Sequence, residues 1–319
     1  MNRNEPEIVY HYCSLETFLA IIENSTIRLT NIVKSNDKDE IRYCFDIFER
    51  VLRKSCKDFA FKVDNEKLKE FLLGINFSEL VSRAVLNESL LYYVACFSEK
   101  SDLLSQWRGY ANYGKGVAIG FYSKAFMNAQ DLKNLKFSKI NYDIKSTENL
   151  LYNSIINKLL FIYHNNPKVN DLTFYEAKIN DFINTMVYNA VFFKNPAFQE
   201  ECEWRFVFYP FGNIRNLLIN HKYGDMASNQ LFYDRMYESI EYDKYYNGLN
   251  REKLRFKCTD DKIISYINMN FDDIKNSVLA EIVIGPKSDI DDKDLRLFLM
   301  SNEYDLSKIH IKKSLATYR

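Results

Sequence analysis

The chain is poor in the residues that usually mark a function by sight. Only 9 glycines and 5 prolines occur among 319 residues. No glycine stretch has the spacing of a P-loop or a GxGxxG element, so neither common phosphate cradle is present. Histidine is limited to His11, His164, His221 and His310, and the six cysteines (Cys13, Cys44, Cys56, Cys96, Cys202, Cys258) lie far apart with no CxxC pair. Such scattered ligands argue against a zinc site and against a disulfide framework, and they fit reduced thiols in the cytoplasm. The opening MNRNEPEIVYHY holds no apolar core of a secretory signal, and no apolar run reaches the length of a membrane span. An excess of one charge is missing too. The 43 basic residues balance 43 acidic ones, so the overall charge demands neither nucleic acid nor an acidic surface.

Apolar residues are plentiful, at 47% of the chain, with 24 Phe and 23 Tyr. That supplies a large core for one big domain. IVYHY at 8–12 reads as a strand, and Ser14 as the N-cap of a helix that places Leu15, Phe18, Leu19 and Ile22 on one face. A short strand at 26–30 and a polar loop at 34–40 precede a helix with Ile41, Cys44, Phe45, Phe48 and Leu52 inward. Two helices fill 65–88, and LLYYVACFS at 90–98 reads as a buried strand. Further strands are expected at 114–121, 134–142, 254–258, 262–271, 279–286 and 308–312, and a helix near 290–302. Residues 146–194 read as two long helices, and 211–250 as an irregular tyrosine-rich stretch. Strands and helices mix without βαβ regularity. The expectation is therefore an α+β fold, with a mixed or antiparallel central sheet of about six to nine strands and helices around it. One domain is expected over 1–319, with 143–195 as a helical insert or subdomain.

Three clusters can carry chemistry. In Tyr10-His11-Tyr12, strand alternation sets His11 on the face opposite the two tyrosines, where an imidazole can hold a ribose hydroxyl or move a proton. It can equally be satisfied by a local hydrogen bond. The second cluster joins Cys96-Phe97-Ser98 to Ser105-Gln106-Trp107-Arg108-Gly109-Tyr110 and Gly114-Lys115-Gly116. Trp107 and Tyr110, three apart on a helical turn, suit either a sandwich for a flat heterocycle or a lid on the core. The two glycines fit a tight turn. The third is Glu200-Glu201-Cys202-Glu203-Trp204-Arg205, whose three carboxylates sit directly before the β-branched and aromatic run, expected as a strand, that ends at Tyr209. Alternation puts Glu201, Glu203 and Arg205 on one face. Two carboxylates there can divide the work of glycosidic cleavage, one orienting a hydroxyl and one stabilising positive charge, while Arg205 holds a phosphate or locks Glu203.

Together these clusters resemble a bacterial family known only as a domain of unknown function, number twenty-nine seventy-one. The resemblance rests on the order of Tyr10-His11-Tyr12, Asn36-Asp37 with Glu40, Cys96-Phe97-Ser98, Trp107 to Tyr110, the strand 116–121, Glu201 to Arg205 and Ile284-Gly285-Pro286. A remoter likeness is to ADP-ribosyltransferases. Their pattern is a His or Arg on the first strand, a Ser or Tyr on a middle strand, and a Glu-x-Glu at the start of a late strand. It implies an ADP-ribosyltransferase-like fold, NAD as substrate and no metal. His11, with Tyr12 beside it, would hold the ribose. Ser98 or Tyr110 would pack by the nicotinamide, with Trp107 and Arg205 completing the NAD site. Glu203 would stabilise the oxocarbenium ion, and Glu201 would position an acceptor, either protein or nucleic acid. A toxin or phage-defence role fits that family type. Two other readings stand beside it. In one, Asp37, Glu40, Glu201 and Glu203 gather Mg²⁺ in a nuclease, with Lys34, Lys38, Arg108 and Lys115 on phosphate. In the other, the chain is a binding module whose acidic turn is only a rim.

Overall fold

The computed structural model describes residues 7–32, 40–88, 92–128, 135–165, 171–208, 255–258 and 262–317. Residues 34–39 of the expected polar loop at 34–40, and the tyrosine-rich stretch 211–250, lie outside them. Contact density divides the chain into two compact units, one of Met1–Asn31, Tyr93–Lys139 and Glu200–Arg319, the other of Ile32–Tyr92 and Ile140–Gln199.

The first unit is a large mixed sheet with helices. Its strands are β1 (Ile8–Cys13), β2 (Thr26–Asn31), β3 (Tyr93–Ser98), β4 (Val117–Tyr122), β5 (Leu135–Lys139), β6 (Glu203–Phe208), β7 (Arg255–Cys258), β8 (Ile263–Asn270), β9 (Leu279–Ile284) and β10 (His310–Lys313). They run in the order β10-β9-β4-β1-β3-β2-β8-β7, with β6 on the other side of β3 and β5 beyond β6. Only the β9–β10 pair is parallel among the described residues. The fold is α+β with a mostly antiparallel open sheet, as composition and pattern lead one to expect, and its described strands number ten.

Alternation divides this sheet chemically. One face carries Val9, Phe97, Phe121, Phe206, Ile282 and Ile284, all buried in one apolar cluster. Phe97, Phe126, Phe137 and Phe206 meet mostly edge to face, with Phe137 and Phe206 only 4.4 Å apart between ring centres. Each ring buried this way contributes about 1.5–3 kcal/mol of transfer free energy. Helix α1 (Leu15–Asn24) supplies Phe18, Ile21 and Ile22 to the same core, and the Ser14 side chain caps it by accepting from the Thr17 amide. The buried stripe is displaced from the expected one. Leu15 and Leu19 are exposed, and Ile21 is inside, because the 3.6-residue turn carries positions 18, 21 and 22 onto the sheet.

The second unit is helical. It holds α2 (Glu40–Ala60), α3 (Glu66–Gly74), α4 (Phe77–Glu88), α7 (Ile144–Asn165) and α8 (Leu172–Ala190), so the helices of 143–195 share a unit with α2–α4. Phe59, Tyr163 and Tyr175 form its aromatic centre. The first unit contributes the remaining helices: α5 (Leu104–Gly109), α6 (Ser123–Asn128), α9 (Lys275–Val278) and α10 (Asp292–Ser301). No described helix is long and apolar enough to cross a membrane.

Candidate functional site

The other face of the sheet is the more polar one: it buries a smaller apolar cluster with Tyr12, Trp107, Ala118 and Val283, and its register sets a row of functional groups side by side. Glu203 on β6 pairs with Ser98 on β3, Ser98 with Tyr10 on β1, Tyr10 with Gly120 on β4, and Gly120 with Glu281 on β9. Residues directly opposite in antiparallel strands project to the same side, so Glu203, Ser98, Tyr10 and Glu281 share this face. All four are buried. Gly120 leaves room for the Tyr10 ring and the Glu281 side chain above it, and the Glu281 carboxylate pairs with Lys312 at 2.9 Å. Burial first, and then that carboxylate, hold the Tyr10 pKa well above its ordinary value.

Glu203 and Arg205 lie two apart on β6 and form a buried ion pair. The guanidinium donates from Nε at 2.9 Å and from Nη2 at 2.7 Å, both to Glu203 Oε1. With side chains 5% and 2% exposed, both charges are out of water. The expected shared face of Glu201 and Glu203 needs correction. Glu201 closes a 3-10 turn, Pro196–Glu201, and Cys202 adopts a left-handed backbone at φ 45°, so the strand starts only at Glu203. That kink breaks the alternation from which the shared face was read. Ser98 is tied into the turn: its hydroxyl donates to the Glu201 carbonyl at 2.6 Å and accepts from the Lys100 amide at 3.0 Å.

His11 stands at a split in the sheet. β1 and β2 both pair with the same edge of β3, β1 at Ser98 and β2 at Val94 and Tyr93, and they part between. The imidazole crosses that gap. Nδ1 lies 3.0 Å from the Cys96 carbonyl, which can only accept, so Nδ1 carries the proton and a neutral ring keeps its lone pair on Nε2. Burial lowers the His11 pKa, against the opposing effect of that hydrogen bond. The ring packs on Phe97, 5.6 Å between centres, on the apolar side. His11 and Glu203 therefore stand on opposite faces of the sheet, whereas the resemblance implied that both hold one ribose. Cys96 is the exposed side chain on β3, opposite Arg205 on the polar face.

Trp107 and Tyr110 are placed very differently. Trp107 is 0% exposed and Tyr110 43%. The Trp107 ring packs edge-on against Tyr12, and its Nε1 donates to Asp102 at 2.6 Å. Asp102 also accepts from Ser314 and from the amides of Leu315 and Ala316. Burial pushes the Asp102 carboxyl up, but these four hydrogen bonds outweigh it and hold its pKa below the ordinary value. Tyr12 donates to the Lys100 carbonyl and accepts from the Leu103 amide. Trp107 and Tyr12 thus brace the segment that follows β3. Gly114 and Gly116 form a close backbone crossing: a Cβ on Gly116 would sit 2.0 Å from the Cys13 carbonyl oxygen. Asp37 lies outside the described residues. Among those described, no group of three or more His, Cys, Asp or Glu is placed to hold a metal ion.

Tyr10 and Glu281 were missed by sequence reasoning. The signal for Glu281 was a lone carboxylate inside the apolar strand LAEIVI. Tyr10 was passed over for its neighbour His11.

Fold and site define an α+β protein with a split antiparallel sheet and a buried ion pair on its polar face. A family model described as "Protein of unknown function (DUF2971)" matches residues 106–206. It covers Trp107 to Tyr110 and Glu201 to Phe206, while His11, Ser98 and Glu281 lie outside it. No curated protein and no solved structure matches the chain.

Proposed function

We propose that this chain transfers ADP-ribose from NAD, or hydrolyses NAD, at the polar face where β1, β3 and β6 meet. The observation that carries this reading is the register row of Glu203, Ser98 and Tyr10 beside the split in the sheet. A glycosidic cleavage needs a fixed carboxylate near the anomeric carbon, and the Arg205 grip on Oε1 fixes Glu203. The C1′–nitrogen bond breaks and its electron pair leaves with nicotinamide. Glu203 stabilises the resulting oxocarbenium ion. Water or an acceptor nucleophile then adds at C1′ and gives up its proton. Arg205 and Ser98 are positioning residues, one through the carboxylate and one through the turn before β6. NAD depletion of this kind is what a toxin or phage-defence effector would exploit.

The test is nicotinamide release by purified wild type and Glu203→Gln, with and without EDTA. Loss of a charge-stabilising group costs on the order of 3 kcal/mol, so the variant should turn over roughly 100-fold more slowly. Turnover unaffected by EDTA and lost in the variant supports the reading. No NAD consumption by the wild type sinks it, and Mg²⁺-dependent cleavage of nucleic acid in the same preparation would favour the nuclease instead. A variant that loses only affinity for a ligand points to the binding module.

A further inference from the structure

Away from the Glu203 row, the polar face continues across β2, β8 and β7 with a different character. On β2, exposed Arg28 and partly exposed Thr26 and Thr30 alternate with buried Ile27, Leu29 and Asn31. On β8, partly exposed Tyr266 and Asn268 alternate with buried Ile267 and Met269. Thr30 pairs with Tyr266 and Tyr266 with Arg255, and Lys257 lies on the same side of β7. The Arg28 guanidinium sits over the Tyr266 ring, 4.3 Å from its centre. Lys257 feels the same cation: burial, and then repulsion from Arg28, lower its pKa. Among the described residues no carboxylate pairs with Arg28, Arg255 or Lys257. In a chain whose charges balance, three cations on one face with no counter-charge among the described residues are a local concentration.

We infer that this face binds a single-stranded nucleic acid, its phosphates on Arg28, Arg255 and Lys257 and a base stacked at the Arg28–Tyr266 pair. Three strands spread the cations over about 10 Å, two strand spacings, which suits successive phosphates along a backbone better than one small anion. A guanidinium plane backed by an aromatic ring is a platform for an unpaired base, and such stacking tolerates any base. Thr30 and Asn268 add donors and acceptors along the same track. A duplex would hide its base faces from this platform. The inference stands apart from the NAD reading. Where both hold, the bound strand is the class of acceptor.

The experiment is fluorescence anisotropy of labelled single-stranded RNA and DNA of about 20 nucleotides, titrated with the full chain at several salt concentrations. Wild type is expected to bind with a negative log–log salt slope. Arg28→Gln, Arg255→Gln and Lys257→Gln combined should weaken binding at least about tenfold and flatten the slope by about 2, as expected for three lost phosphate contacts on a single strand. A control with the same charge change at exposed Lys124, Lys293 and Lys313 should bind like wild type. Thermal melts establish that each variant is folded, and Tyr266→Ala, which keeps all three cations, should lose affinity with the slope unchanged. Absence of binding by wild type overturns the inference, as does equal weakening by the control set. Displacement by micromolar ADP reassigns the face to a nucleotide pyrophosphate, and displacement by poly-glutamate at equal charge reassigns it to an acidic protein. Either outcome also overturns it.

Discussion

Arg205 is the side chain on which the polar face most depends. It is almost wholly buried, and both of its described side-chain bonds reach one oxygen of Glu203. Removing one partner of a buried pair typically costs about 3–5 kcal/mol. Arg205→Ala should therefore lower stability by that amount in urea titration, while Arg205→Lys, keeping the charge but losing the fork, should fall between it and wild type. His11 gives a pH-dependent prediction. Its pKa in the folded chain lies below the ordinary value of 6.5, so the unfolded chain binds more protons as pH falls through 6.5. This contribution to stability is complete above that pH and declines below it, down to the folded pKa. His11→Gln can still donate to the Cys96 carbonyl and should remove that part of the slope, measured as unfolding free energy between pH 7 and pH 5 relative to wild type. At this scale much was legible in the sequence: the carboxylates, Arg205 and the opposite facing of His11 and Tyr10 all follow from residue type and alternation. The partners of these residues were not. Tyr10 meets Ser98 across 88 positions of chain, and such a register is settled by packing along the whole strand.

Elements of the sheet core were readable because their patterns are strong. β3, β4 and β9 are nearly continuous apolar runs, and α1 and α10 each start at a side chain that accepts from the first-turn amides, Ser14 and Asp291. The entry to β6 was not readable. A left-handed residue is ordinarily signalled by glycine or asparagine, and here the position is Cys202. Its carbonyl accepts from the Glu99 amide at 3.1 Å, so the kink is held from outside as well as from within. Cys202→Gly should leave stability unchanged or raise it by about 1 kcal/mol, since glycine takes this conformation freely but loses more chain entropy. Cys202→Val should cost about 1–2 kcal/mol, and thermal melts of the two would separate by several degrees. If the valine variant melts like wild type, the kink is not a constraint on where the strand begins.

Across the whole molecule, chain order and spatial order diverge. The family match at 106–206 contains β4, β5 and most of β6, yet β1, β3 and β9, which pair with β4 and β6, lie outside it. It also contains α7 and α8 but omits α2 and α4 of the same unit. Strands without partners and helices without their apolar cover do not fold alone. A chain cut to 106–206 should show no cooperative urea transition by circular dichroism, while the full chain does. This division was hidden from sequence reading. The chain passes between its two compact units after Asn31, Tyr92, Lys139 and Gln199, and no change in composition marks any of those points.

Gly120 leaves a mark on descent. A Cβ there would lie 2.9 Å from a Tyr10 ring carbon and 3.0 Å from both the Glu281 Cβ and the Ile8 Cγ2. In lineages from this sequence, a larger residue at 120 is expected with a smaller one at 8, 10 or 281. The four positions are inherited as a set, and their joint variation among relatives would trace the row across the sheet without a structure.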